Sequence, residues 1–192
     1  MTFSFTPNDI PNPDEILRLF DLASEQAVAA NQDMVLLIEH KGTPIEGESP
    51  RKFEDGKKRL SALGCLLISG VKEASPNRTK VIVTTSDLIV VRQCDAATAS
   101  IANLFKKQEE DLKVQISFFK TDGAGTSEDQ QPMLEITIER GRIAYFSMLT
   151  SSKFCGAPCE VIAFAHQGLK IDSAPQLKSG LRGALRVCDL GA

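Results

Sequence analysis

The sequence lacks the features that mark several common classes of protein. It contains no tryptophan, and no apolar run approaches the roughly 18 residues that a membrane-spanning helix needs. The opening residues, MTFSFTPNDIPNPDE, have neither the basic segment nor the apolar segment of a secretory signal peptide. We therefore expect a cytoplasmic protein with no membrane span.

An excess of basic charge is also missing. The 192 residues include 25 acidic and 22 basic side chains, so the formal net charge is −3. Proteins that bind nucleic acids through their phosphates usually carry a basic surface, which makes a nucleic-acid partner unlikely by this criterion. The hydrophobic content of 42% and charged content of 24% are ordinary for a globular protein that can form its own core.

Common catalytic motifs are absent from the sequence. It has no nucleophile elbow, no HExxH zinc motif and no dinucleotide-binding GxGxxG. The stretch GTPIEGES resembles a phosphate-binding loop, but Glu48 stands where such a loop needs lysine and Pro44 has no N–H to donate. We therefore expect a protein that is not an enzyme and that binds no cofactor.

The five cysteines are the remaining candidates for chemistry. Cys65 and Cys94 lie within apolar patterns, as reduced cytosolic thiols usually do. Cys155 and Cys159, with His166, could supply three ligands to a metal or a reactive thiol. Their spacing is wider than a zinc knuckle and no second pair follows, so the start of a packed helix is the favoured interpretation. A thiol enzyme or a small metal protein remains the alternative.

Periodicity predicts alternating helices and strands in the first half of the chain. A helix is expected to begin at Asn12, a buried strand to cover Met34–Ile38, and a turn to follow at Lys41. Apolar residues at helical spacing then predict a second helix from about residue 53 to 71. TKVIVTTSDLIVVRQCD reads as a hairpin that turns at Ser86, and a third helix is expected after Asp95 as its N-cap.

The second half is predicted to be mainly β. KVQISFF is expected to form a strand, residues 121–132 a polar loop, and MLEITIERGRIAYFSML a hairpin that turns at Arg140 and Gly141. GAPCEVIAFAHQG is predicted to form a short helix and LKID a strand, with a helix or loose tail at the end. This order predicts an α+β fold of mainly antiparallel sheets with helices packed on one face. Two similar halves, residues 1–95 and 96–192, are possible within it.

Two resemblances add to this interpretation. Residues 100–172, with LEITIERGRIAYFSM followed by GAPCEVIAFAHQG, resemble the PatA amino-terminal (PATAN) type of bacterial regulatory domain. Residues 13–95, with a Lys-Gly-Thr-Pro-Ile turn, are similar to a Roadblock domain. Both families are non-catalytic modules of bacterial signalling and motility systems, and Roadblock domains dimerise and bind small GTPases. The resemblances imply a regulatory adaptor.

Together these observations predict a non-enzymatic signalling adaptor that acts by binding a partner protein and forms a homodimer. A viral or mobile-element protein that inhibits a host factor is a second alternative. An exposed apolar strand edge would form the dimer interface, through Leu88, Ile89, Val90 and Val91. An interrupted basic stretch could contact an anionic partner, through Arg51, Lys52, Lys57, Lys58 and Arg59.

Overall fold

A computed structural model describes residues 32–51, 53, 55–72, 82–120, 131–150, 157–175 and 183–190. The helix predicted from Asn12 and most of the predicted polar loop lie outside these residues. The described elements are β1 (Gln32–His40), β2 (Thr43–Pro44), β3 (Leu60–Ala62), β4 (Gly64–Leu66), β5 (Ser69–Lys72), β6 (Ile82–Thr85), β7 (Leu88–Gln93), α1 (Thr98–Lys107), β8 (Leu112–Lys120), β9 (Leu134–Leu149), β10 (Cys159–Ala165), β11 (Gly168–Ser173) and β12 (Arg186–Asp189).

An antiparallel sheet that closes on itself forms the body of the protein. Its strands pair in the order β1, β8, β9, β10, β7 and β4. Only Leu63 separates β4 from β3, and β3 pairs with β1, so the series of pairings returns to its first strand. The strands come from both sides of Asp95. We call this unit the closed sheet. Closure pairs backbone N–H and C=O groups that would otherwise be unpaired at the edges of an open sheet.

The interior of the closed sheet is the main hydrophobic core. Each strand alternates, so every second side chain points inward. Leu36 and Ile38 of β1 and Ile116 of β8 are all 0% exposed. Other strands and α1 complete the cluster, which also includes Leu88, Val90, Ile101, Val114, Ile136, Ile138, Ile143, Ile162, Phe164 and Leu169. Burial of these apolar side chains is the principal stabilising term.

The long strand β9 bends where a hairpin turn was predicted. Arg140 does adopt a left-handed conformation, with φ 51°, yet the chain continues as one strand from Leu134 to Leu149. Inward-facing residues fall at Ile138 and then at Gly141, three positions apart instead of two. An extra residue of this kind is a bulge that bends a strand and resets its alternation. It lets β9 pair first with β8 and β11, then with β10.

We expect Gly141→Ala to destabilise the fold by about 1–3 kcal/mol, because a methyl group there has no free space. A Cβ at Gly141 would lie 2.9 Å from Ile138 Cγ2 and 3.2 Å from the Leu112 carbonyl oxygen. Gly70→Ala is the matched control, because a Cβ there meets nothing within 4 Å. Urea denaturation of both variants measures the difference, and equal stabilities would contradict the packing at the bend.

The predicted third helix is confirmed as α1. The Asp95 carboxylate accepts a hydrogen bond from the Ala97 N–H at 2.8 Å, and Thr98 Oγ1 accepts one from the Asp95 N–H at 3.1 Å. Ile101 faces the core, and Phe105 stacks on Phe146 of β9 with ring centroids 6.2 Å apart. These contacts hold the helix against the closed sheet.

Antiparallel pairing was predicted correctly, whereas two of the predicted helices are strands. Residues 60–72, expected to be helical, form β3, β4 and β5, and the expected helix after Gly156 is the strand β10. Within the predicted terminal helix or tail, residues 186–189 form β12. The strands predicted as a hairpin exist, but β6 pairs with β5, and β7 pairs with β10 and β4. Strands buried on both faces show continuous apolar runs, which periodicity alone does not separate from buried helix. The described residues contain a single helix in a mostly β fold.

Candidate interaction surfaces

The predicted dimer edge is buried within the protein. Leu88 and Val90 are 0% exposed and face the interior, while Ile89 and Val91 pack in a second apolar cluster on the outer side of the sheet. Strands β10 and β4 occupy both edges of β7. The prediction of an exposed edge at Leu88–Val91 was therefore wrong, because the apolar run reflects burial on both faces.

The predicted basic patch is largely engaged within the chain. Arg51 is buried, its Nε lies 3.0 Å from Asp33 Oδ2, and its guanidinium lies 3.9 Å from the centre of the Phe119 ring. Arg59 pairs with Asp55 at 2.7 Å, and Lys57 lies 3.7 Å from Glu39. Lys58 is exposed, and Lys52 lies outside the described residues. Arg51, Lys57 and Arg59 therefore hold the segment before β3 through contacts within the chain and do not form one free surface.

The proposed thiol site is not assembled by the described residues. Cys159 begins β10 and His166 follows its end, so about 23 Å of strand separates them. Cys155 lies outside the described residues. In the described part of the chain, no group of three or more His, Cys, Asp or Glu residues could hold a metal ion.

The thiols differ in state from one another. Cys65 and Cys94 are free, and burial raises the pKa of Cys65 to about 11, so little thiolate exists there at neutral pH. Cys188 is also free and is exposed on β12. Cys159 is disulfide-bonded, which the prediction of reduced core thiols did not include.

A buried ion network joins β7, β10 and the start of α1. Arg92 is 1% exposed and pairs with Glu160, which is 0% exposed, at 2.5 Å. The same guanidinium reaches Asp95 at 2.5 Å. Burial raises the pKa of the Glu160 carboxyl, and the charge of Arg92 partly offsets this. Because its charges are buried, this network contributes to the stability of the fold and cannot contact a partner protein.

A polar groove lies at one end of the closed sheet. Its volume is about 690 Å³, and turns from four separate parts of the chain line it. The charged and polar lining residues are Lys41, Glu109, Glu110, Asp111, Arg140, Arg142, His166 and Gln167. His40 Nε2 lies 3.2 Å from a Glu109 carboxylate oxygen, and Lys41 Nζ lies 3.9 Å from the same atom. We call this feature the rim groove.

The strand β12 forms a second candidate surface. It pairs with β11 on one side, and no described strand pairs with its other side. All four of its residues are exposed, as is the neighbouring Leu185, and Val187 is 55% exposed. Val83 on β6 and Met148 on β9 are also more than half exposed. An open strand edge with apolar side chains favours contact with another chain.

No helix among the described residues is long and apolar enough to cross a membrane.

Comparison with solved structures shows the fold. A type six secretion system protein has 17% identity with a TM-score of 0.63, covering 82% of this chain and 95% of that one. Hcp1 from Salmonella typhimurium has 15% identity and a TM-score of 0.59, covering 82% and 93%. A type VI secretion system effector from Yersinia pestis has 18% identity and a TM-score of 0.54, covering 82% and 99%. Among the curated proteins, none matches this chain.

The family comparison overturns both resemblances inferred from the sequence. Neither a PATAN nor a Roadblock domain is supported, because the short Gly-Arg-Ile stretch is the bend of β9 and the residues expected to form the long helix are strands. The matching family model is described as the type VI secretion system effector Hcp, and it covers residues 38–172, well over half of the chain. This chain therefore belongs to the Hcp family of type VI secretion system proteins.

Proposed function

We propose that this chain is a secreted structural component of a type VI secretion system and works by contacting proteins without catalysing a reaction. The observation that carries the proposal is the Hcp family match over residues 38–172, which extends from the end of β1 to β11. The related structures include a protein described as secreted, Hcp3 from Pseudomonas aeruginosa. On this proposal the chain is made in the cytoplasm and then exported.

The contacts proposed for this component include copies of itself. Exposed apolar side chains lie on different elements, with Leu185 and Val187 by β12, Val83 on β6 and Met148 on β9. When each copy of a chain binds the next through two different surfaces, successive copies are related by the same rotation. They form a closed ring if that rotation returns to the first copy. We therefore propose a closed ring in place of the predicted homodimer, whose expected interface on β7 is buried. The function as a signalling adaptor is replaced by that of a structural component.

Export tests this proposal directly. The full chain with a small C-terminal tag would be expressed in a bacterium with a working type VI secretion system and in an otherwise identical strain whose system is inactivated. We expect the protein in the medium of the first strain only, with a tagged cytoplasmic enzyme as the control for lysis. Equal amounts in the two media, or retention in both strains, would contradict the proposal.

A further inference from the structure

The rim groove has a fixed order of charges that follows from the strand order. The registers pair His40 with Leu112, Leu112 with Gly141, and Arg142 with Ala165. Lys41 follows β1, Asp111 precedes β8, and the bend of β9 carries Arg140 and Arg142. Since neighbouring strands are about 4.8 Å apart, basic, acidic and basic groups succeed one another around the mouth of the groove.

Several of these charged side chains have no hydrogen-bonded or ion-paired partner among the residues that the structure describes. Glu109 is engaged by His40 and Lys41. By contrast, the side chains of Glu110, Asp111, Arg140 and Arg142 make no hydrogen bond and no ion pair with any residue that the structure describes. Arg142 does interact electrostatically with Asp87, without a direct ion pair. The rim groove thus carries both acidic and basic side chains that are not joined to each other by ion pairs. A ligand of one sign could satisfy only part of this lining, whereas a ligand with both signs could satisfy both parts.

The backbone around the rim groove is held in uncommon conformations. Non-glycine residues with positive φ are uncommon, and here Lys41, Asp111 and Arg140 have φ of 52°, 66° and 51° and all line the groove. Gln108, which ends α1 beside it, has φ 51°. Such conformations persist only where the surrounding structure enforces them. The closed sheet therefore presents these charges from preformed turns, which lowers the ordering cost of binding.

From this charge order and the unpaired groups, we propose that the rim groove binds a segment of a partner protein that carries both acidic and basic side chains. The acidic side chains contact Arg140 and Arg142, and the basic side chains contact Glu110 and Asp111. The volume of about 690 Å³ admits a few side chains, which suits a short segment rather than a folded domain. The proposal does not depend on ring formation or export.

Peptide binding tests the proposal with defined probes. Three fluorescent peptides of about six charged residues would be used, one alternating glutamate and lysine, one all glutamate and one all lysine. Anisotropy titrations of the full chain would be made at about 50 mM salt, where charge pairs are weakly screened. We expect the alternating peptide to bind at least about tenfold more tightly than either of the others, since only it satisfies both signs.

Two substitutions, each of which removes one charge, separate the contacts with acidic peptide side chains from those with basic ones. Arg142→Gln and Asp111→Asn should each weaken the alternating peptide by about threefold to fivefold, the size expected for an exposed charge pair. They should affect the all-glutamate peptide in opposite directions, weakening it for Arg142→Gln and strengthening it for Asp111→Asn. Asparagine tolerates the positive φ of Asp111, and thermal unfolding would verify both folds.

Arg186→Gln is the matched control, because Arg186 is an exposed arginine on β12 and does not line the groove. It should leave all three affinities unchanged. Tighter or equal binding of the all-glutamate peptide would show simple anion attraction and overturn the proposal. So would the absence of binding by any peptide, or equal effects of Arg142→Gln and Arg186→Gln. Export of the chain is measured without peptide, so the two proposals can fail separately.

Discussion

Arg92→Met is expected to destabilise the folded protein by about 3–5 kcal/mol, because it leaves buried carboxylates without their cation. Arg92 and Glu160 are 1% and 0% exposed, and Asp95 is the second carboxylate on the same guanidinium. Methionine retains much of the side-chain length, so the lost charge dominates the lost packing. Urea denaturation followed by circular dichroism measures the effect.

Two further variants separate the charge effect from a general loss of packing. Arg92→Met combined with Glu160→Met should cost much less than the sum of the single changes, since apolar replacement of a whole buried pair is often nearly neutral. Arg186→Met, at an exposed arginine, should change stability by less than about 0.5 kcal/mol. Additive effects of the two buried substitutions would contradict the ion network.

The pH dependence of stability gives a further test of the same network. Burial raises the pKa of Glu160 above its ordinary value of 4.5, so the folded state binds this proton more firmly than the unfolded state. The contribution of Glu160 therefore becomes less favourable as pH rises from 4.5 through its raised pKa. Glu160→Gln should flatten this part of the stability curve. Curves of the same shape for both proteins would contradict the assignment.

Val187→Lys should weaken self-association at least about thirtyfold, the scale of a central contact at a protein interface. Val187 is 55% exposed on β12, whose outer edge meets no described strand. A lysine on an open edge disfavours addition of another chain. The fold should be retained, because an exposed side chain contributes little to stability.

Asn103→Lys provides the control for the added charge. Asn103 is exposed on α1 and not on β12, and the change adds the same positive charge to the same chain. It should leave self-association unchanged in sedimentation velocity. If Val187→Lys assembles as tightly as the unmodified chain, β12 is not part of the contact.

The sequence predicted elements well where local signals and tertiary context agree. Alternation in KVQISFF gives β8, and the apolar run Met34–Ile38 lies within β1. The helix α1 follows Asp95 as predicted, but its N-cap is Ala97, and Asp95 instead accepts a hydrogen bond from the Ala97 N–H in the preceding turn. Helices were predicted wrongly at residues 60–72 and 159–165. In the second range β10 is buried on both faces, and its continuous apolar run does not differ in pattern from a buried helix. The dipeptide Arg140-Gly141 predicted a hairpin turn, whereas the structure has a bend there within one long strand, with φ 51° at Arg140.

The ion network and the rim groove could not be predicted because they depend on pairings between residues distant in sequence. Arg92 and Glu160 are 68 residues apart and meet only when β7 pairs with β10. The lining of the rim groove comes from residues 41, 109–111, 140–142 and 165–167, which the strand order of the closed sheet brings together. The signal present in the sequence was two charged clusters, QEED before β8 and ERGR within β9. That these two clusters lie together could be known only from the strand order of the closed sheet.

The mass of the assembled protein tests the central claim most directly. Native mass spectrometry of the unmodified full chain, across a range of concentrations, would count the copies in each particle. A structural component that forms closed rings predicts one dominant species with a fixed number of copies and no open-ended series above it. A monomer at every concentration, or a simple dimer, would contradict the account.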